Sequence, residues 1–379
     1  MTLVDRSCKN QAICILEFLH IMGRYATKWL GREIKKILSG LQKGFQAAPG
    51  EAARLLTVWK NMVNQRYNER IPEFRRRLIN TVWFNSVAAS RKYEEVADQL
   101  VAQIHNTALN RIRKVDLHID SDCQLNGIEM SHPEYQEHIV VLGGLGYLWQ
   151  HSFPFLYRLH NGLKANLHSY NYRGTTKSIQ SDLSEEAIVQ DAVRIVQDLR
   201  KKGVPDNKIT IYGRSLGGGA AVCSAAALAD SGIHVRRLMS ERSFRSLPKA
   251  AGYILPAGGA HLAQFVLSCG YEFRAEEKIS KLQKETQVIV IYHKNDRVIP
   301  LPVALKTALD EKPVSHLQVK FVEMNDDGVT PWEYGKVPFA KMLEQHCRDF
   351  SDRELEEISK HFRETAHQAL ADEAAKTAV

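Results

Sequence analysis

The chain has 379 residues, 44% of them hydrophobic and 25% charged, with a formal net charge of +8. That balance excludes a disordered or fibrous chain and gives length for one large domain beside a smaller one. Six cysteines (Cys8, Cys14, Cys123, Cys223, Cys269 and Cys347) fall in neither Cys-x-x-Cys nor His/Cys spacing. The pattern indicates neither a disulfide framework nor a zinc site, and it suits a reducing cytosol.

Charge divides the chain in two. Residues 1–114 hold 20 Lys/Arg against 9 Asp/Glu, a net of +11, which leaves −3 for the remainder. Within this basic part, Phe18, Leu19, Met22, Tyr25, Trp29, Leu30, Ile34, Ile37, Leu38 and Leu41 recur at three- and four-residue steps, as on one face of a helix. Pro49-Gly50 ends that run. Further helices are predicted from Glu51 to about Asn68, after Pro72, and from Ser90 through Tyr93, Val96, Leu100, Ile104 and Ile112.

Two readings of these helices stand. They pack together or onto the second domain, or their basic faces, with Trp29 and Tyr25, lie on an anionic membrane surface. Nucleic acid is not an expected partner, because Arg75-Arg76-Arg77 is short and lacks the aromatic interleaving of a recognition module. The most apolar early run, residues 12–22, is broken by Glu17 and His20 and falls short of the ~20 residues a spanning helix needs. It leads into no small-residue cleavage site. The expected location is cytoplasmic, with peripheral membrane attachment or export without a cleavable signal peptide as alternatives.

After Lys114 the pattern becomes one of alternating strands and helices. Strands are predicted at 115–119, 125–130, 138–142 and 165–172, then a helix opened by Ser184 or Asp182 and closed by Lys201-Lys202-Gly203. Further strands follow at 209–212, 235–240, 287–292 and 317–324. Such alternation implies an α/β class: a doubly wound, mainly parallel sheet with ligands at the carboxyl ends of its strands. The predicted layout is a basic helical region at 1–114, the α/β domain at 115–370 and a disordered tail at 371–379.

The motif with chemical content is Tyr212-Gly213-Arg214-Ser215-Leu216-Gly217-Gly218, in which a β-branched run passes through Gly-x-Ser-x-Gly into an Ala-rich helix. The three-position pattern is common by itself; the strand before it and the helix after it make it specific. A sharp strand-to-helix turn crowds the neighbouring backbone, so small residues must flank a hydroxyl lifted clear of the sheet. This is the nucleophile elbow of a serine hydrolase.

The order of parts over about residues 115–370 resembles the α/β-hydrolase superfamily. The matching pieces are Gly143-Gly144-Leu145-Gly146, Asn171-Tyr172-Arg173-Gly174 with Ser178 behind it, the elbow, and Tyr292-His293-Lys294-Asn295-Asp296-Arg297-Val298-Ile299-Pro300. Within the superfamily, chain length and the basic helical front end resemble the chlamydial CHLPS-type family of hydrolase-like proteins. The resemblance implies an acyl-enzyme esterase, lipase or thioesterase mechanism without metal or organic cofactor, acting on a small-molecule or lipid acyl ester. It makes Ser215 the nucleophile and Asp296 the acid that orients the base, with Asp326 and Asp327 as runners-up.

The resemblance also implies a base in the loop after the last strand and before the final helix. That helix is marked by Ser351-Asp352-Arg353-Glu354, a capping box, and His346 lies five residues before it. His346 is therefore the expected base, with residues 328–345 an insertion; His316 precedes the last strand and His361 and His367 lie within the helix, so all three point elsewhere on this reading, and the alternative is another histidine or none. The oxyanion hole is expected from the backbone N–H groups of Leu216 and Leu145. Arg173 is read as pinning loops together. The apolar segment 248–285 either caps the site or fills space on the sheet. A protein that kept this fold, lost the reaction, and holds a partner or membrane is the rival reading.

Overall fold

In a computed structural model, the structure describes residues 98–99, 101–102, 111–120, 123–145, 147–173, 184–254, 271–324 and 350–363. The first three helices expected of the basic region, most of the fourth, the tail 371–379, and the candidates His346, Asp326, Asp327 and His367 lie outside the described residues.

Eight strands form one sheet: β1 (Arg111–Asp120), β2 (Cys123–Ser131), β3 (Glu137–Leu142), β4 (Ala165–Tyr170), β5 (Ile209–Arg214), β6 (Arg237–Glu241), β7 (Gln287–His293) and β8 (Gln318–Met324). Their spatial order is β1-β2-β4-β3-β5-β6-β7-β8. The first two pairings are antiparallel and the remaining five parallel. The central strands read as continuous apolar runs because both faces are covered, as parallel sheets require. Ile139, Val140 and Val141 of β3 and Val288, Ile289, Val290 and Ile291 of β7 are all buried.

The main helices are α1 (Trp149–Leu163), α2 (Glu185–Lys201), α3 (Leu216–Asp230), α4 (Leu247–Ile254), α5 (Ala275–Lys278) and α6 (Leu305–Glu311), followed by α7 at 352–363. Ser184 caps α2 by accepting from the Ala187 N–H at 3.0 Å. At the start of α7 the expected capping box forms: Ser351 N–H donates to Glu354 Oε2 at 2.7 Å, and Glu354 N–H donates to Ser351 Oγ at 3.3 Å. The far end of α7 is held by Phe362, over which the buried Arg237 guanidinium sits at 4.2 Å.

Two details depart from the sequence-based expectation, and a third bears on an alternative left open there. Ile112 belongs to β1, not to a helix: it is buried opposite Met130 of β2, so strand pairing begins at Arg111, ahead of the expected boundary at Lys114. Helix α1, with Pro154 inside it, carries no predicted counterpart. Around the segment 248–285, Phe273, Ile279 and Leu282 are core residues, which is the space-filling role for that part of it.

Candidate active site

Ser215 stands between β5 and α3 with φ 54° and ψ −118°. A side chain at positive φ is strained, and strain of this kind persists only where its surroundings enforce it. Here they do so from three directions. The Ser215 N–H donates to the Glu241 carbonyl at 2.8 Å, tying the turn to the end of β6. A Cβ on Gly213 would lie 2.0 Å from the Gly217 carbonyl oxygen, and one on Gly217 would lie 2.1 Å from that of Leu142. No side chain fits at either position, so the glycines allow β3, β5 and α3 to meet with backbone against backbone.

Helix α3 is buried almost all round, Leu216 to Ala226 being wholly enclosed. Ser215 is its N-cap residue and is half-buried. The first amides of a helix lack intrahelical acceptors and carry the positive end of its dipole, so developing negative charge beside Ser215 is favoured there. The glycine loop after β3 runs alongside: a Cβ on Gly144 would lie 3.4 Å from Ser215 Cβ and 3.9 Å from Oγ. Leu216 and Leu145, the expected oxyanion donors, thus sit on the two backbone segments that flank the hydroxyl.

Asp296 follows β7 and is 6% exposed. Its Oδ1 accepts from the N–H groups of Val298 and Ile299, each at 2.9 Å, which fixes the carboxylate in one orientation. β7 is two strands from β5, a lateral offset of about 10 Å at ~4.8 Å per strand, room enough for an imidazole between acid and hydroxyl. Arg173 has a structural partner, though on a helix and not the second loop expected: its guanidinium holds both oxygens of Asp191 on α2, with Nε donating to Oδ2 at 2.8 Å. Of the other histidines, His316 lies before β8 with Nε2 2.9 Å from the Leu282 carbonyl, and His361 pairs with Glu357 at 3.0 Å on α7.

Beneath the elbow is a buried ionic cluster that sequence reasoning missed. Tyr212 donates to the fully buried Glu241 carboxylate, which Arg214 and Arg242 approach at 3.5 and 3.7 Å. Burial, followed by the Glu241 charge, pushes the Tyr212 phenol well above its ordinary pKa, so it stays a donor. Arg242 itself has φ 46° and donates its N–H to the Ile291 carbonyl at 2.7 Å. The available signal was the Glu241-Arg242 pair at the end of a predicted strand.

No protein-family model matches the chain. Bem46 of Schizosaccharomyces pombe is 26% identical over 153 residues, 40% of this chain and 48% of that protein. An uncharacterized membrane protein of Saccharomyces cerevisiae is 27% identical over 151 residues, 40% of this chain and 50% of that one. The chain thus spans about half the length of the curated relatives it matches. Among solved structures, an alpha-beta hydrolase from Vibrio vulnificus superposes with a TM-score of 0.51 at 21% identity, covering 61% of this chain and 79% of that one. An esterase from Pyrobaculum calidifontis gives 0.49 at 16% identity, covering 74% and 93%. With the sheet order above, the chain has the α/β-hydrolase fold.

Proposed function

We propose that the protein is a serine hydrolase that cleaves an acyl ester or thioester, lipid-like ones included, through an acyl-enzyme on Ser215. The observation that carries this reading is the strained Ser215 at the N-terminus of a buried helix, facing a glycine loop across a few ångströms. Ser215 Oγ attacks the acyl carbonyl while the base takes its proton. The backbone N–H groups of Leu216 and Leu145 receive the oxyanion. Collapse of the intermediate expels the alcohol or thiol, which recovers the proton, and water then repeats the sequence to release the acid and free Ser215.

Asp296 orients the base, and His346 is that base. What supports this choice is the sequence order Ser, Asp, His and the described chain from Phe350, which packs on Phe155 at 5.8 Å, Phe155 in turn lying 6.2 Å from Tyr212 and 5.6 Å from the Arg214 guanidinium. No metal or organic cofactor enters this scheme.

A fluorophosphonate probe tests the reading. A stoichiometric adduct on Ser215, absent in Ser215→Ala, is the expected result; no adduct, or ester turnover equal in the two proteins, overturns it and favours an inactive hydrolase-fold interaction protein. For partners, the net +11 of residues 1–114 supports docking of that region on an anionic membrane surface, with the protein cytoplasmic and peripheral. Among the described residues no helix is long and apolar enough to cross a membrane. Flotation of the full chain with phosphatidylserine vesicles but not with neutral ones is expected; equal recovery with both dismisses the electrostatic docking. The narrower resemblance to CHLPS-type proteins rests on the length and this basic front end.

A further inference from the structure

The exits of β3 and β4 are laced together in a way that bears on the oxyanion loop. The Tyr172 phenol donates to the Gly143 carbonyl at 2.6 Å, with both groups buried. The Tyr147 N–H donates to the next carbonyl, Gly144, at 3.1 Å. The Tyr147 ring lies against Gly143 so closely that a Cβ there would fall 1.8 Å from the ring's Cγ. That ring is anchored at its other end by a 2.6 Å hydrogen bond between its hydroxyl and Ser169 Oγ on β4. Burial raises both phenols far above the ordinary tyrosine range, so both remain protonated.

Two consecutive glycines are the most mobile backbone a loop can have, and mobility is what an oxyanion site must lack, since its donors act by being already in place. In a trans peptide the C=O of one residue and the N–H of the next point in opposite directions within one plane. Holding the Gly144 carbonyl therefore aims the Leu145 N–H, and holding the Gly143 carbonyl fixes the plane before it. From this geometry we infer that Tyr172, seconded by Tyr147, is a positioning residue for the oxyanion donor, an inference that rests on the hydrolase reading above. Neither phenol touches the reacting atoms. Their work is to turn a flexible diglycine into a rigid donor.

Tyr172→Phe removes one oxygen and keeps the ring. The full-length variant is compared with wild type on p-nitrophenyl butyrate, with kcat expressed per site titrated by fluorophosphonate, and on binding of a trifluoromethyl ketone, whose adduct places an oxyanion in the hole. Loss of aim is expected to lower kcat about 10-fold, below the 10²–10³ seen when a donor is removed outright, with KM within about twofold and ketone affinity falling by the same factor as kcat. A purely structural role would reduce the titratable fraction and leave kcat per site alone, and that result overturns the inference. If Tyr172→Phe does not fold, Ser169→Ala decides: release of the Tyr147 anchor is expected to lower kcat per site about threefold, and no change overturns the inference. Absence of any fluorophosphonate adduct on wild type would instead remove the hydrolase reading itself.

Discussion

At the carboxyl ends of β5 and β6 the backbone leaves ordinary geometry, with Ser215 at φ 54° and Arg242 at φ 46°, whereas the buried and half-buried polar groups of β2, β3 and β4 sit on regular strands. There Glu129 accepts from Arg113 Nε at 2.9 Å and lies 3.3 Å from both Lys202 Nζ and His168 Nδ1, while His168 Nε2 meets His138 Nδ1 at 3.0 Å. The first region holds a strained hydroxyl under a helix end and aims backbone donors beside it; the second gathers charges and imidazoles that stabilise one another. On the function proposed above, the difference separates a site for chemistry from a network for stability, although both contain carboxylates.

The sharpest way to break this distinction is to delete one member of each region. Ser215→Ala is expected to lower ester turnover about 10⁴-fold or more while the thermal midpoint stays nearly unchanged. Retention of even a tenth of the activity would remove the elbow from the chemistry. Glu129→Ala should do the reverse. It leaves His168, a buried imidazole, without its carboxylate and is expected to cost about 3 kcal/mol in urea unfolding, with kcat per titrated site unaltered. A fall in kcat at constant stability would mean that the two regions are functionally joined.

Acid sharpens the comparison further. Burial, then the charge of His168, pulls His138 down to about 4, against the opposing influence of Glu137 and Glu129, and burial alone pulls His151 to about 4. The unfolded chain takes up these protons near 6.5 and the folded one only near 4, so their contribution is intact above pH 6.5 and is lost as pH falls toward 4. Glu129 adds to the effect lower down: despite its burial, His168 and Arg113 hold its carboxyl well below the usual range, so its stabilisation disappears as pH falls below about 4.5. The thermal midpoint should therefore drop steadily from pH 6.5 to 4, and His138→Gln should flatten part of that slope. A midpoint independent of pH across this window would contradict the lowered affinity of these half-buried imidazoles for protons. The smallest effect is expected at the α7 cap, where Ser351→Ala should cost about 1 kcal/mol, measured by urea unfolding, and leave Ser215 labelling intact.

How much could be read in advance differs between the same two regions. The elbow was legible because its requirement is local: Gly213, Ser215 and Gly217 must be small or reactive within five residues of chain, whatever packs around them. Asp296 was legible as a polar residue just past an apolar strand, and the Ser351–Glu354 cap as a three-residue spacing. The Tyr172–Gly143 bond, the Tyr212–Glu241 pair and the His138–His168–Glu129 chain were not, since each joins residues 29 to 39 positions apart whose types carry no local signal. Helix α1 escaped because Pro154 and the aromatic-rich Trp149–Leu163 stretch lower its local propensity, and burial against the sheet supplies what propensity does not.

By itself, the sequence determined the alternation of strands and helices, the glycine-flanked serine and the basic front end, because periodicity, steric allowance and charge are properties of short stretches. Tertiary structure alone decided that β4 lies beside β3, so that a tyrosine leaving one strand holds the glycine carbonyl leaving the other. A hydrogen bond reaches only about 3 Å, and only the folded sheet brings those groups within that distance.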